Sequence, residues 1–282
     1  MAYAYWKSGK VLDNAVFDFV LSQKSISWRI HCFRWDSRSA CTLLETSAFP
    51  NQTISYLKTI LPTTVEQEFF TYLKGIDASK RYLMCYPRGS IVFPKIPLYQ
   101  SGRTITRYCK MVQLMETTLL NLVNFARYIL YNKHTISIGK FDKFATNASR
   151  FRLAAGWDKS LIEFGLRRSQ GPDGGLSASK YCYIGGFDGT SNVLAGKLCG
   201  IPVKGTQAHA FITSFTPKEL PLVGKLQPAD SSQEPRDFYP VVMDWLKKVS
   251  PVLRVLESEV HMGELAAFSA YAVAFPDTFW HW

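Results

Sequence analysis

The 49-residue run from Glu163 to Phe211 constrains the fold of this chain more than any other stretch. Glycine and other small residues divide the run into short pieces whose lengths suit alternating strands and helices. The first piece, Phe164–Leu166, is apolar and predicts a strand that ends at Arg167 and Arg168. A turn with the sequence GPDGG, residues 171–175, is expected next because glycine, proline and aspartate are typical turn residues.

Two short helices should follow this turn. The first is predicted over Leu176–Ile184 and should end at the glycine pair Gly185–Gly186. The second should begin at a side-chain cap from Thr190 or Ser191 and end before Gly200. The run then returns to an apolar strand, which gives the order strand, helix, helix, strand.

Four polar residues are expected where the strands of this run end. The last apolar strand, Ile201–Val203, leads to Thr206 and His209, whereas the first strand leads to Arg167 and Arg168. Since a β/α barrel keeps its functional residues at the carboxyl ends of its strands, these four side chains are predicted to share one mouth.

The chemistry of these four residues favours a phosphorylated, carboxylate-bearing substrate. The two arginines would bind carboxylate or phosphate oxygens, and a threonine beside a glycine would let an anion approach the backbone. The histidine could act as a base or a nucleophile. The alternative, a solvated arginine pair and a structural histidine, remains open on these residues alone.

The same run resembles nicotinate phosphoribosyltransferase in the stretches FGLRRSQGPDGG, YIGGFDGTSNVLAG and GIPVKGTQAHAF. The resemblance implies a phosphorylatable histidine at His209 and a nicotinate-contacting threonine at Thr206. It implies contacts to phosphoribosyl pyrophosphate or nicotinate around Arg167 and Arg168. The implied reaction makes nicotinate mononucleotide for NAD biosynthesis, with ATP as co-substrate, Mg²⁺ or Mn²⁺ as the metal ion, and a homodimer as the assembly.

The fold that the resemblance implies is α/β. We expect an incomplete β/α-barrel of the type II phosphoribosyltransferase kind, with part of an N-terminal α/β domain. The N-terminal domain should cover residues 1–110, and the first part of the barrel should cover residues 111–282.

Outside the run, apolar residues at helical spacing predict further helices. These helices fall within Met1–Phe17, Ile54–Lys80, Met111–Ala126, Tyr239–Leu256 and Gly263–Phe275. A strand interrupted by prolines, Gly89–Leu98, is expected at a sheet edge or a bend.

Two segments, residues 19–49 and 127–144, depart from both the periodicity and the resemblance. A one-base frame shift in the first would place glycines after Trp28 and Trp35, because tryptophan has a single codon. The second has the composition of a translated A/T-rich intron. A further shift at Phe279–Trp282 would restore the family-like sequence Leu-Ala-Leu-Val. These features predict a truncated, frame-disrupted copy whose polypeptide is impaired or inactive.

The net charge of +11 does not indicate nucleic-acid binding. Three segments carry the whole excess, residues 19–46, 81–110 and 127–144. Two of them fall in the irregular segments, and the third includes Tyr99–Lys110, which is longer than the connection found in the family that the run resembles. The six cysteines are scattered without a C-x-x-C pair, which argues against a zinc site or a disulfide framework. No apolar run reaches the ~18 residues of a membrane span, and no leader opens the chain, so we expect a cytosolic protein without a membrane partner.

Other functions remain as alternatives. One is a non-catalytic fragment or dimerisation partner of the intact enzyme, and another is a sibling phosphoribosyltransferase acting on nicotinamide or quinolinate. A dinucleotide-binding dehydrogenase is disfavoured because the stretch GGFDG, residues 185–189, does not fit the pattern G-x-G-x-x-G.

Overall fold

The computed structural model describes residues 1–13, 17–20, 31–32, 49–76, 82–85, 91–92, 97–102, 114, 116–122, 140–169, 171–227 and 233–277. The chain divides into two compact units, each assembled from separate pieces of sequence. The first unit comprises Met1–Val11, Leu61–Tyr72 and Thr206–Trp282, and the second comprises Leu12–Ile60 and Leu73–Gly205. Within the described ranges, no helix is both long and apolar enough to cross a bilayer. The predicted domain boundary after residue 110 lies outside these ranges and stays a prediction.

Helices outweigh strands among the described residues. In chain order the helices are α1 (Ala2–Lys7), α2 (Asn51–Ile60), α3 (Gln67–Lys74), α4 (Lys140–Ala155), α5 (Gly171–Ile184), α6 (Val193–Cys199), α7 (His209–Thr213), α8 (Phe238–Leu253) and α9 (Met262–Ala274). Residues 116–122 are also helical. Short 3-10 helices cover Lys10–Leu12, Gly165–Arg168, Pro217–Leu222 and Glu257–Glu259. The strands are β1 (Phe17–Val20), β2 (His31–Cys32), β3 (Tyr82–Cys85), β4 (Ile91–Val92), β5 (Pro97–Gly102), β6 (Ile162–Glu163), β7 (Gly189–Thr190), β8 (Lys225–Leu226) and β9 (Arg236–Asp237).

An aromatic cluster forms the core of the first unit. Tyr3 and Tyr5 of α1 are 4% and 1% exposed. The ring of Tyr3 lies 5.3 Å from that of Phe275, and the ring of Tyr5 lies 5.1 Å from that of Phe211. Helix α9 packs against α1 and α7 and buries a row of alanines, so small residues let the helices approach while the rings fill the remaining space.

The second unit contains an antiparallel sheet with the strand order β1-β5-β3. The proline-interrupted strand predicted over Gly89–Leu98 does not lie at an edge in its second half, because β5 begins at Pro97 and is the central strand. Proline is tolerated there because it occupies the first position of the strand. The alternative, a bend, falls on residues 93–96, which lie outside the described ranges. The register with β1 shifts between Phe19 and Val20, and Val20 is the partner of Pro97.

Parallel strands and helices alternate in the run from Glu163 to Phe211, and the predicted order of strand, helix, helix, strand missed β7 between the two helices because this strand has only two residues. Strand β6 pairs with β7 in parallel, and Thr190 of β7 forms a parallel bridge with Val203. Helix α5 connects β6 to β7, and α6 connects β7 to Val203. This order of elements is typical of α/β proteins.

Several boundaries within the run differ from the prediction. The strand is Ile162–Glu163, and the segment Phe164–Leu166 leads into a 3-10 helix instead. Helix α5 begins at Gly171, five residues early, because Pro172 suits the first turn of a helix and Asp173 interacts favourably with the helix dipole.

The cap of α6 also differs from the prediction. Asn192, and neither Thr190 nor Ser191, caps α6, because its side-chain oxygen accepts from the N–H groups of Leu194 and Ala195 at 3.2 and 3.3 Å. The predicted helix ends are confirmed, since Gly186 and Gly200 have φ angles of +103° and +66°.

The helices predicted outside the run are confirmed with adjusted bounds. Helix α3 lies within the predicted stretch Ile54–Lys80, and α2 overlaps the start of that stretch. Helices α8 and α9 match the predictions for Tyr239–Leu256 and Gly263–Phe275. The amino-terminal helix is shorter than predicted and ends at Lys7. Of the two irregular segments, most residues lie outside the described ranges, as do Phe279–Trp282; α4 begins at Lys140, inside the second segment.

Candidate functional site

Arg167 and Arg168 lie in a short turn that directly follows the parallel strand β6. We call residues 165–169 the arginine turn; it comprises the 3-10 helix Gly165–Arg168 and Ser169. Both arginines are exposed, whereas Ser169 is buried. The guanidinium of Arg167 forms an ion pair with the carboxylate of Glu116. The turn therefore presents two cations at the carboxyl end of a parallel strand, where α/β proteins bind their ligands.

A buried carboxylate fixes the start of the arginine turn. Glu163 is 6% exposed, and its Oε1 accepts a hydrogen bond from the N–H of Gly165. Its Oε2 accepts from the hydroxyls of Ser179 on α5 and Thr190 on β7, at 2.8 and 2.7 Å. The carboxylate thus ties β6, β7, α5 and the turn together, and both of its oxygens have donors.

Cys182 lies on α5, and the charge of Glu163 affects the pKa of its thiol. Burial, assisted by the charge of Glu163, raises the pKa of the Cys182 thiol to about 11. Since the thiolate is the nucleophilic form of cysteine, this residue is unsuited to catalysis near neutral pH.

A second buried charged side chain, Arg152, connects the loops around β7 through hydrogen bonds. Arg152 of α4 is 5% exposed, and it donates from Nε to the carbonyl of Gly186 and from Nη1 to those of Gly156 and Lys159. Its Nη2 donates to Asp188. A hydrogen bond from the N–H of Leu161 and the contact with Arg152 hold the pKa of Asp188 below its usual range. This arginine acts as a structural clamp, since three of its acceptors are backbone carbonyls.

His209 and Thr206 lie in the first unit. Thr206 is exposed in a loop, and His209 is the exposed first residue of α7. The backbone of α7 is held by α1, because the N–H of Ala208 lies 3.2 Å from Sδ of Met1 and the hydroxyl of Tyr5 donates to the carbonyl of Ala210 at 3.4 Å. The histidine is therefore an exposed side chain on a backbone that is fixed by buried neighbours.

The four predicted site residues thus fall into two pairs. Arg167 and Arg168 are neighbours in the second unit, while Thr206 and His209 are three positions apart in the first unit. The prediction that all four share one mouth stays a prediction. Sequence reasoning did not identify Glu163, Arg152 or Asn121, whose hydrogen-bond partners lie 27, 34 and 48 positions away.

The described residues contain no group of three or more histidine, cysteine, aspartate or glutamate side chains that could hold a metal ion. Mg²⁺ commonly binds through substrate phosphates and water with few protein ligands. We therefore assign no residue of this chain to a metal ion.

Two solved structures resemble this chain in fold. A nicotinate phosphoribosyltransferase from Vibrio cholerae aligns with 98% of this chain and 55% of its own, with a TM-score of 0.57 and 13% identity. The enzyme of the same name from Porphyromonas gingivalis aligns with 87% of this chain and 57% of its own, with a TM-score of 0.55 and 16% identity. Together with the parallel strands β6 and β7, these likenesses define an α/β protein with a phosphoribosyltransferase fold.

Sequence comparisons identify the family. Residues 1–124 match the nicotinate phosphoribosyltransferase N-terminal domain. A nicotinate phosphoribosyltransferase of Caenorhabditis elegans is 46% identical over 99% of this chain and 46% of its own length. Nicotinate phosphoribosyltransferase 2 of Arabidopsis thaliana is 43% identical over 99% of this chain and 47% of its own. The chain belongs to the nicotinate phosphoribosyltransferase family. It spans about half the length of the curated relatives it matches.

Proposed function

We propose that this chain carries the nicotinate-binding and phosphate-binding half of a cytosolic nicotinate phosphoribosyltransferase. The observation that carries the proposal is the 46% identity to a relative of that name along 99% of the chain. The reaction would transfer the phosphoribosyl group of phosphoribosyl pyrophosphate to nicotinate, for NAD biosynthesis, with hydrolysis of ATP. The parallel order β6, α5, β7, α6, Val203 would then be the start of a β/α barrel.

Arg167 and Arg168 would bind the anionic groups of the substrates. Their guanidinium groups offer planar pairs of donors that suit phosphate and carboxylate oxygens. As pyrophosphate leaves the ribose carbon, positive charge develops on the sugar and negative charge on the leaving group. Two exposed cations on a turn held by a buried carboxylate would keep the anion in a fixed position and neutralise part of its charge. Mg²⁺ or Mn²⁺, bound to the pyrophosphate, would supply further positive charge.

His209 would be the group that takes part in ATP hydrolysis. A neutral imidazole nitrogen can attack the γ-phosphorus of ATP, forming a nitrogen–phosphorus bond while the bond to the ADP oxygen breaks. The phosphohistidine would add negative charge and acceptor oxygens beside Thr206, which would contact nicotinate. The exposure of both side chains supports this assignment, since substrates could reach them.

Ligand binding by the purified chain tests the proposal. Calorimetric titration should give tighter binding of nicotinate than of nicotinamide or quinolinate, and Thr206→Ala should reduce that preference. Equal affinity for the three compounds, or preference for either of the other two, would overturn the assignment of nicotinate as substrate.

Labelling with ATP carrying ³²P at the γ-position tests the role of His209. We expect acid-labile label on the wild-type chain and none on His209→Ala, with His261→Ala as a matched control that keeps the label. Label at another residue would contradict the proposal. Product formation in the same mixture measures turnover, and turnover near that of a full-length relative would contradict the expectation of an impaired polypeptide.

A further inference from the structure

One amide side chain spans the arginine turn. Asn121, in the helical residues 116–122, is 1% exposed. Its Nδ2 donates to the carbonyl of Leu166 at 2.7 Å and to Oγ of Ser169 at 2.9 Å, and it lies 3.4 Å from the carbonyl of Ser169. Leu166 and Ser169 are the residues immediately before and after the arginine pair. A single NH₂ group therefore holds the backbone on both sides of Arg167 and Arg168.

The orientation of this amide is fixed by its surroundings. Two of the three acceptors are backbone carbonyls, which only accept hydrogen bonds, so the NH₂ end must face the turn. The other end, Oδ1, is buried and has no hydrogen-bond partner among the described residues. A buried polar atom without a partner is unfavourable, and such an atom in a native fold calls for an explanation. Holding the turn is the function of this side chain that the contacts support.

The same helix also contacts an arginine directly. Glu116, five positions before Asn121, forms the ion pair with Arg167, and its side chain is 18% exposed. Leu119, between them, is completely buried and anchors the helix. One rigid element thus contacts both the backbone of the turn and one of its two cations. Rigid support of this kind reduces the ordering cost that a flexible arginine pair would pay when it binds an anion.

We propose that Asn121 is a positioning residue, which holds the arginine turn in the geometry from which Arg167 and Arg168 bind a phosphate-bearing substrate. The proposal rests on the assignment of the arginines to anion binding. Without the amide, the carbonyl of Leu166 keeps only its contacts with Ser169 inside the turn, at 2.9 Å from Oγ and 3.4 Å from N. The turn loses its connection to the helix and gains freedom that ligand binding must remove.

Titration of the full chain with phosphoribosyl pyrophosphate and Mg²⁺ tests the proposal. We expect Asn121→Ala to weaken binding about tenfold, because the arginine pair loses its preorganisation. Asn147→Ala makes the same chemical change at an exposed position of α4 and should bind as the wild type does. Should Asn121→Ala fail to fold, Ser169→Ala removes only the hydroxyl and should weaken binding about threefold.

A double-mutant cycle separates positioning from general damage to the fold. If Asn121 acts through the arginines, Asn121→Ala should weaken binding by at most about threefold in a chain that already carries Arg168→Ala. An undiminished tenfold loss in that background would overturn the proposal. So would wild-type affinity of Asn121→Ala.

Amide hydrogen exchange distinguishes failure of this proposal from failure of the proposed function. Residues 165–169 should exchange faster in Asn121→Ala than in Asn147→Ala, while α6 should be unchanged. A wild-type chain that binds no phosphoribosyl pyrophosphate would overturn the anion-binding function, and exchange in the turn would still decide whether Asn121 holds it. Unchanged exchange in residues 165–169 would overturn the positioning role.

Discussion

The hydroxyl of Thr190 lies 2.7 Å from Oε2 of Glu163, so the parallel strands β6 and β7 are joined through their side chains as well as their backbones. The hydroxyl of Ser179 lies 3.1 Å from that of Thr190 and donates to the same carboxylate oxygen. Such a fully paired polar group in a dry environment stabilises one arrangement of its neighbours. These hydrogen bonds also fix the start of the arginine turn, because the carboxylate of Glu163 accepts from the N–H of Gly165.

Replacement of Glu163 by alanine should destabilise the second unit. The change removes the acceptor of the Gly165 N–H and leaves the hydroxyls of Ser179 and Thr190 with backbone carbonyls alone, at 3.0 and 3.3 Å. It also opens a cavity, so we expect a loss of about 2 to 4 kcal/mol in the free energy of unfolding. Urea denaturation followed by circular dichroism measures this loss. Glu163→Gln keeps the shape and one acceptor oxygen, and it should lose less. A loss in Glu163→Ala below about 0.5 kcal/mol, the usual effect of a surface substitution, would contradict this interpretation.

The stability contributed by Asp188 should depend on pH. The N–H of Leu161 and the guanidinium of Arg152 lower the pKa of Asp188 in the folded state, relative to an unfolded value of about 3.9. The contribution is therefore complete above the unfolded pKa and is lost as the pH falls through the lower, folded pKa. Wild type and Asp188→Asn should differ in unfolding free energy by a constant amount between pH 5 and 7, and the difference should shrink below about pH 4. Denaturation curves at several pH values check this, and a difference that grows on acidification would refute it.

Gly185 should not tolerate a side chain. A Cβ atom there would lie 2.5 Å from Cβ of Ala148 and 2.6 Å from the carbonyl oxygen of Ala145, both on α4. Since the backbone of α4 would have to move, Gly185→Ala should lower the unfolding free energy by about 1 to 3 kcal/mol. Gly205→Ala is the matched control, because a Cβ at Gly205 would meet nothing within 4 Å. Equal melting temperatures for the two variants would show that α4 and α5 do not approach as closely as described.

Loss of the Phe211 ring should disturb the segment that carries His209. Phe211 is completely buried and lies two residues after the histidine, with its ring 5.1 Å from those of Tyr5 and Phe215. Phe211→Ala should cost about 3 to 5 kcal/mol of unfolding free energy and reduce phosphorylation of His209. Phe151→Ala, at a position 62% exposed, should have little effect on either measurement. Full labelling of His209 in Phe211→Ala would show that phosphorylation of the histidine does not depend on the aromatic core.

Local signals in the sequence predicted local structure well. Gly186 and Gly200 end their helices in left-handed conformations, and the amphipathic pattern of Tyr239–Leu256 became α8, because these features depend on neighbouring residues only. The stretch GPDGG was ambiguous for a physical reason. The proline and aspartate that favour a turn also favour the first turn of a helix, and packing of α5 against α4 decides between them.

The polar groups that support the candidate site could not be predicted from the sequence. Glu163 lies within a short apolar stretch and Asn121 within an apolar helix, and nothing near either residue indicates its partners. Their partners become neighbours only through the fold, at separations of 27 and 48 positions. Arg167 and Arg168 were predicted from their residue type and from a strand that was placed too late in the chain, since β6 is Ile162–Glu163. Their role in binding stays a prediction.

The division of the chain into interleaved pieces sets an order of events during synthesis. Every residue of the second unit has been translated once Gly205 leaves the ribosome, whereas the first unit still lacks its third piece. The hydroxyl of Tyr5 can donate to the carbonyl of Ala210 only after 205 further residues have been translated. The ring of Tyr3 can pack against that of Phe275 only after Phe275 has been translated. Tyr3 can meet Phe69 earlier, but the aromatic core of the first unit can be completed only after the whole of the second unit has been translated.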